Sequence, residues 1–182
     1  MAFLRGLPDD ATVVDVYKTY PAVAAAALAL NDAVMRQPAP FTPAEREAIA
    51  AYVSTINSCR YCQGVHTNAA VNLGLAPERV SSVCERPDQP DDPRLAPVLA
   101  YVAKLTDAPA TVTQADVDKV LEAGWDETAV SYAAFIAGLY AFMNRLVEGH
   151  GVRGTAEQLE AGGKRVAELG YAGMAKMLGN AK

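Results

Sequence analysis

Thirty-five of the 182 residues are alanine, and the strand-forming residues are scattered rather than grouped in runs of period two. Alanine has the highest helix propensity and loses no side-chain freedom when the backbone is fixed. Such a chain is constrained to fold as closely packed helices, so the expected fold class is all-α. The length suits one domain of ordinary size, spanning residues 1–182.

Local signals place the helices. Thr42-Pro43-Ala44-Glu45 joins an N-cap, a proline at the first helical position and a glutamate that closes a capping box. The helix it starts is predicted to reach about Ile56. A short helix is expected from Asp9-Asp10-Ala11 to Thr19, and another from Pro21 to Arg36. Cys59 to Leu73 reads as a helix stopped by Gly74, and Pro77 opens a short one to Glu85. Arg86 to Pro93, with three prolines and three aspartates, reads as an exposed loop. Further helices are predicted from Pro93 to Leu105, from Thr113 to Gly124, and from an Asp126 cap through Val147. The tail from Thr155 has a helical pattern, but glycines at 162, 163, 170 and 173 are expected to break it and its ends to fray.

Charge narrows the function classes. Sixteen Lys and Arg stand against 21 Asp and Glu, a net −5, with no basic tract. That argues against nucleic acid or an anionic membrane as the main partner. The longest apolar run, Ala22 to Leu30, has nine residues, short of the ~20 that a bilayer needs. The first ten residues lack a signal-peptide pattern. A soluble, cytoplasmic protein is expected. A mean hydropathy slightly above zero points to apolar surface buried between subunits.

Only three cysteines and two histidines are available. An odd, low cysteine count excludes a disulfide scaffold and suits a reducing compartment. Any metal or thiol chemistry must draw on Cys59, Cys62, Cys84, His66 or His150. Cys59, Cys62 and His66 follow the pattern i, i+3, i+7, so on a helix all three share one face. A helix N-terminus favours thiolate over thiol, and His66 lies one turn from Cys62.

Three readings fit that face. The cysteines and histidine can be plain core residues. They can hold zinc, with Cys84 or His150 as a fourth ligand. They can form a redox dithiol with an adjacent base, the reading that best explains why so few such residues gather within eight positions. A thioredoxin fold is disfavoured, because no βαβ pattern surrounds the motif. Helix-dipole reasoning alone selects Cys59 as the thiolate. Cys84 reads as a bystander thiol and His150 as a helix-end residue. Tyr132, Phe135, Tyr140 and Phe142 read as core or subunit interface. Asn144 and Arg145 read as a helix cap or pocket lining.

Glu47, then Cys59-x-x-Cys62-x-x-x-His66, resembles the alkylhydroperoxidase AhpD-like branch of the carboxymuconolactone decarboxylase superfamily. Thr42 to Glu47, Val53 to Cys62 and Phe142-Met143-Asn144-Arg145-Leu146 resemble its peroxidase-related subgroup. The likeness covers roughly residues 20–152, leaving a helical extension over 155–180. It implies an AhpD-like helical domain, a homo-oligomer (dimer, trimer or hexamer), and no heme or flavin in the subunit. It implies a thiol peroxidase acting on an organic hydroperoxide or other small molecule, recycled by an external dithiol of lipoyl or thioredoxin type. Cys62 would be the peroxidatic thiol, Cys59 its resolving partner, and His66 with Glu47 the proton relay.

Spacing alone leaves Glu45 and Glu47 equal as partners for His66, and the resemblance selects Glu47. The chain departs from AhpD in having Tyr61, not histidine, between the cysteines. A phenol cannot act as the base there at neutral pH. The alternative readings are a cofactor-free decarboxylase of the wider superfamily and a non-enzymatic metal- or redox-sensing helical module.

Overall fold

A computed structural model describes residues 2–179. Among them are nine α-helices, one 3-10 turn and no strand. The helices are α1 (Val13–Thr19), α2 (Pro21–Met35), α3 (Pro43–Ile56), α4 (Arg60–Asn72), α5 (Pro77–Glu85), α6 (Leu95–Asp107), α7 (Gln114–Glu122), α8 (Glu127–Gly149) and α9 (Ala156–Met177).

Capping chemistry sets most of the starts. At α3 the Glu45 carboxylate accepts from the Thr42 backbone N–H at 2.8 Å, and Thr42 Oγ1 accepts from the Glu45 N–H at 3.2 Å. Asp126 Oδ1 accepts from the Ala129 N–H and opens α8. α1 begins later than its acidic pair suggests. Thr12 and Asp15 form the capping box there, while Ala11 closes a turn on Pro8. A threonine with an acid three positions on satisfies two orphan N–H groups, which Asp9 and Asp10 do not.

α3 lies at the centre. Every residue from Arg46 to Ser54 is buried, and α4, α5, α6 and α8 all pack on this helix. Its alanines remove the usual solvent face. A short turn, with Ser58 in the left-handed region (φ 55°), reverses the chain into α4, so α3 and α4 lie side by side. α8 is long and apolar enough, by length and composition, to cross a membrane. Here it is a core helix, and its buried positions Ala129, Ala133, Ile136, Tyr140, Asn144 and Val147 recur at helical spacing toward α3 and α6.

The tail differs from its sequence reading. α9 runs through Gly162 and Gly163 without a break and kinks only at Gly170 (φ 60°). Gly163 is a contact point: a Cβ there would lie 2.4 Å from Asn68 Cβ and 2.7 Å from the Val65 carbonyl oxygen. The paired glycines let α9 lie directly on α4, the helix that carries the cysteines and His66. Fraying expected beyond residue 179 falls outside the described residues.

Candidate active site

Glu47 is completely buried at the middle of α3, and His66 is buried on the adjoining α4. His66 Nδ1 stands 2.5 Å from Glu47 Oε2. With Nδ1–H donated to the carboxylate, Nε2 is the ring nitrogen left to exchange a proton. Glu45 is instead held at the surface end of α3 by Thr42, so Glu47 is the carboxylate that the fold brings to His66.

The other carboxylate oxygen has partners that the sequence did not suggest. Arg36 Nη2 lies 2.7 Å from Glu47 Oε1, and the Tyr171 hydroxyl donates to the same oxygen at 3.1 Å. The Tyr140 and Tyr171 hydroxyls lie 3.0 Å apart, and the Tyr140 ring meets the His66 ring edge-on at 4.5 Å. Burial and the nearby Glu47 charge push both phenols well above their ordinary range, so they remain hydrogen-bond donors. Burial alone would raise the Glu47 carboxyl. The His66 and Arg36 charges, with their hydrogen bonds, outweigh it and hold Glu47 below its ordinary value.

No motif announced Arg36, Tyr140 or Tyr171. Arg36 follows the last turn of α2, Tyr171 follows the α9 kink, and Tyr140 is one of several aromatics in an apolar helix. Only the three-dimensional meeting of α2, α8 and α9 over α3 singles them out. Of the other aromatics, Phe135 and Phe142 are exposed (55% and 46%) rather than in the subunit core.

Cys59 is the N-cap residue of α4 and Cys62 lies in its first turn. Both are buried, and all three cysteines are free thiols. The Cys62 thiol, as hydrogen-bond partner, and the nearby Cys62 N–H lower the Cys59 pKa despite its burial. The same hydrogen bond, with burial, pushes Cys62 up. Of the two thiols, Cys59 is thus the easier to ionise and Cys62 the harder. Asn144, weighed from sequence as a cap or pocket residue, is buried beside Cys62 and donates to Ser54 Oγ at 3.0 Å.

Cys62 and His66 line one cavity of about 50 Å³, with Tyr140 and Tyr171 at its polar end and Leu28, Met143, Val166 and Met174 among its apolar walls. Cys59 is not in that lining. Tyr61 turns its hydroxyl toward the Val13 N–H at 3.4 Å, and burial pushes it up to about 12. Cys84 sits on α5, its thiol raised to about 11 by burial. His150 is the C-cap of α8, with Nδ1 on the Leu146 carbonyl. Among the described residues, no three His, Cys, Asp or Glu side chains converge as a metal's ligand set would.

The carboxymuconolactone decarboxylase family model matches residues 21–104, the segment that holds Arg36, Glu47 and the Cys-x-x-Cys-x-x-x-His run. An uncharacterized peroxidase-related protein from Silicibacter sp. TM1040 superposes with a TM-score of 0.74 at 26% identity, over 81% of this chain and 78% of that one. The family match over that segment and the shared helical fold support a place for this chain in the AhpD-like, carboxymuconolactone decarboxylase superfamily. A second structure, named as an alkylhydroperoxidase AhpD core and uncharacterized peroxidase-related protein from Ralstonia eutropha JMP134, gives the same TM-score and identity over 84% and 80%. Among curated proteins none matches this chain. α9 lies outside the family-model segment, yet it supplies Tyr171 and Met174 to the cavity.

Proposed function

We propose that this chain is a thiol-dependent peroxidase of the alkyl hydroperoxide reductase type, cycling the Cys59–Cys62 pair between dithiol and disulfide. The observation that carries the reading is the shared cavity of Cys62 and His66, with the far side of the imidazole fixed by the buried Glu47. Peroxide entering this cavity meets Cys62, not Cys59. His66 takes the Cys62 proton, directly or through water, and the thiolate attacks the peroxide O–O bond. The sulfur becomes a sulfenic acid, and the alkoxide leaves with the proton from His66.

Cys59 then attacks the sulfenic sulfur, forming the disulfide and releasing water. The two opposed thiol shifts fit this order. A resting hydrogen bond keeps Cys62 protonated until peroxide and His66 are in place, while Cys59 is held ready as the second nucleophile. An external dithiol restores the pair by exchange. Arg36 and Tyr171 keep Glu47 charged and oriented, which fixes the His66 tautomer. Apolar cavity walls favour an organic hydroperoxide as substrate. Phe135 and Phe142, one side of α8 exposed to solvent, suit burial in a homo-oligomer.

The test is consumption of an organic hydroperoxide in the presence of dithiothreitol or dihydrolipoamide. Turnover by the wild type and none by Cys62→Ser is expected. No consumption with any dithiol donor would overturn the assignment.

A further inference from the structure

Tyr17, Tyr61, Tyr140 and Tyr171 all line the cavity of Cys62 and His66. Three of these hydroxyls are engaged by the protein. Tyr171 donates to Glu47 Oε1 at 3.1 Å. Tyr140 gives its proton to the Tyr171 oxygen, 3.0 Å away, because His66 Nδ1 carries the hydrogen directed at Glu47. Tyr61 accepts from the Val13 N–H at 3.4 Å, where α1 begins. Tyr17, one turn further along α1, differs from all three. It is 2% exposed, and among the described residues its hydroxyl has one partner, the thioether sulfur of Met143 at 3.5 Å. A thioether is a weak acceptor, and a buried hydroxyl without a good partner is costly. Met143 lines the same cavity. The site therefore contains a phenol whose bond to the protein is easily exchanged for one to a bound oxygen. A cavity of about 50 Å³ admits only a few water-sized groups, so a hydroperoxide held against Cys62 comes within reach of Tyr17.

We propose that the Tyr17 hydroxyl is a catalytic hydrogen-bond donor to the leaving oxygen of the peroxide. The inference rests on the thiol peroxidase reading and assigns the group that receives the departing alkoxide. The Cys62 thiolate attacks the terminal peroxide oxygen, an S–O bond forms and the O–O bond breaks. The sulfur loses two electrons and the peroxide gains them. The terminal oxygen keeps its hydrogen and becomes the sulfenic hydroxyl. As charge develops on the other oxygen, Tyr17 turns its O–H from Met143 to that oxygen, and the proton that His66 took from Cys62 completes the alcohol. Tyr17 keeps its own proton, since burial and the neighbouring Cys62 charge push its phenol well above the ordinary range. A donor already in place in a dry site stabilises developing charge without reorganisation. α1 precedes the family-model segment, so this donor comes from the chain's own N-terminal helix.

The test compares two oxidants of similar size. Ethyl hydroperoxide leaves as a strongly basic alkoxide, and peracetic acid leaves as a weakly basic carboxylate. The rate of Cys62 oxidation in reduced protein is followed by mass spectrometry of quenched samples. Tyr17→Phe, which deletes one oxygen and keeps the ring, is expected to slow the reaction with ethyl hydroperoxide about ten- to a hundredfold and that with peracetic acid far less. Iodoacetamide alkylation of Cys62 against pH should give the same apparent thiol pKa in both proteins. An unchanged hydroperoxide rate in Tyr17→Phe would overturn the role of Tyr17 and leave the peroxidase reading standing. Equal slowing with both oxidants, or a shift in the Cys62 pKa that accounts for the slowing, would overturn it too. Wild-type Cys62 that reacts with peracetic acid but not with ethyl hydroperoxide would sink the peroxidase reading and the role of Tyr17 with it.

Discussion

The Glu47 carboxylate meets His66 Nδ1 at 2.5 Å inside the α3–α4 pair, with no solvent on the carboxylate. A buried charge of this kind persists only when it is paired and hydrogen-bonded. Glu47 has three such partners: His66 on one oxygen, and Arg36 with Tyr171 on the other. The site is therefore as much a device for holding one carboxylate charged as for holding two thiols. The imidazole inherits its orientation from that carboxylate.

Arg36→Leu removes the only permanent cation facing Glu47 at ion-pair distance among the described residues. Breaking one side of a buried pair typically costs about 3–5 kcal/mol. A loss toward the lower end is expected, because Tyr171 and His66 remain and the Arg36 side chain is 15% exposed. Chemical denaturation checks it. A loss under about 1 kcal/mol, the scale of an exposed surface pair, would show that Arg36 does not sustain the buried charge.

Acid should act through the same residue. The folded-state pKa of Glu47 lies below its ordinary value, so between those two values the unfolded chain binds the extra proton. Stability contributed by Glu47 is complete above the ordinary glutamate value and is lost as pH falls through the lower folded value. Melting temperature against pH, from neutrality down through that window, should fall more steeply for the wild type than for Glu47→Gln. Parallel curves would contradict the shift.

Gly163 tests the packing that carries Tyr171 to the site. In Gly163→Ala the new methyl meets Asn68 Cβ, the Val65 carbonyl oxygen and the Ala69 nitrogen, all closer than 3.0 Å and two of them backbone. α9 must lift from α4, at a cost of about 1–3 kcal/mol, and peroxide turnover should drop with it. Gly138→Ala is the control. That position is exposed in the middle of α8 and has nothing within 4 Å of an added Cβ, so a gain of about 0.5–1 kcal/mol is expected. Equal thermal stability of the two variants would contradict the close α4–α9 contact.

Helix starts were legible because capping is local: Thr42 with Glu45 and Asp126 before α8 act within one turn. The shared face of Cys62 and His66 was legible for the same reason, since helical period alone places them together. Glu47 was not decided by period. Its side of α3 looks solvated until α4, the end of α2 and α9 bring His66, Arg36 and Tyr171 onto it, and only the family resemblance favoured it over Glu45. Tyr171 and Arg36 were illegible because their roles depend on contacts 124 residues and 11 residues from Glu47 along the chain, without any motif. The glycines of α9 misled for a physical reason. Glycine lowers helix propensity, yet at a crossing of two helices the missing Cβ is what lets the backbones touch.

The most direct measurement is a thiol count by mass spectrometry after fully reduced protein meets one equivalent of an organic hydroperoxide. A thiol peroxidase should lose two thiols per chain and form a Cys59–Cys62 disulfide with Cys84 still free, and Cys62→Ser should lose none. Retention of all three thiols by the wild type, or equal loss in Cys62→Ser, would contradict it.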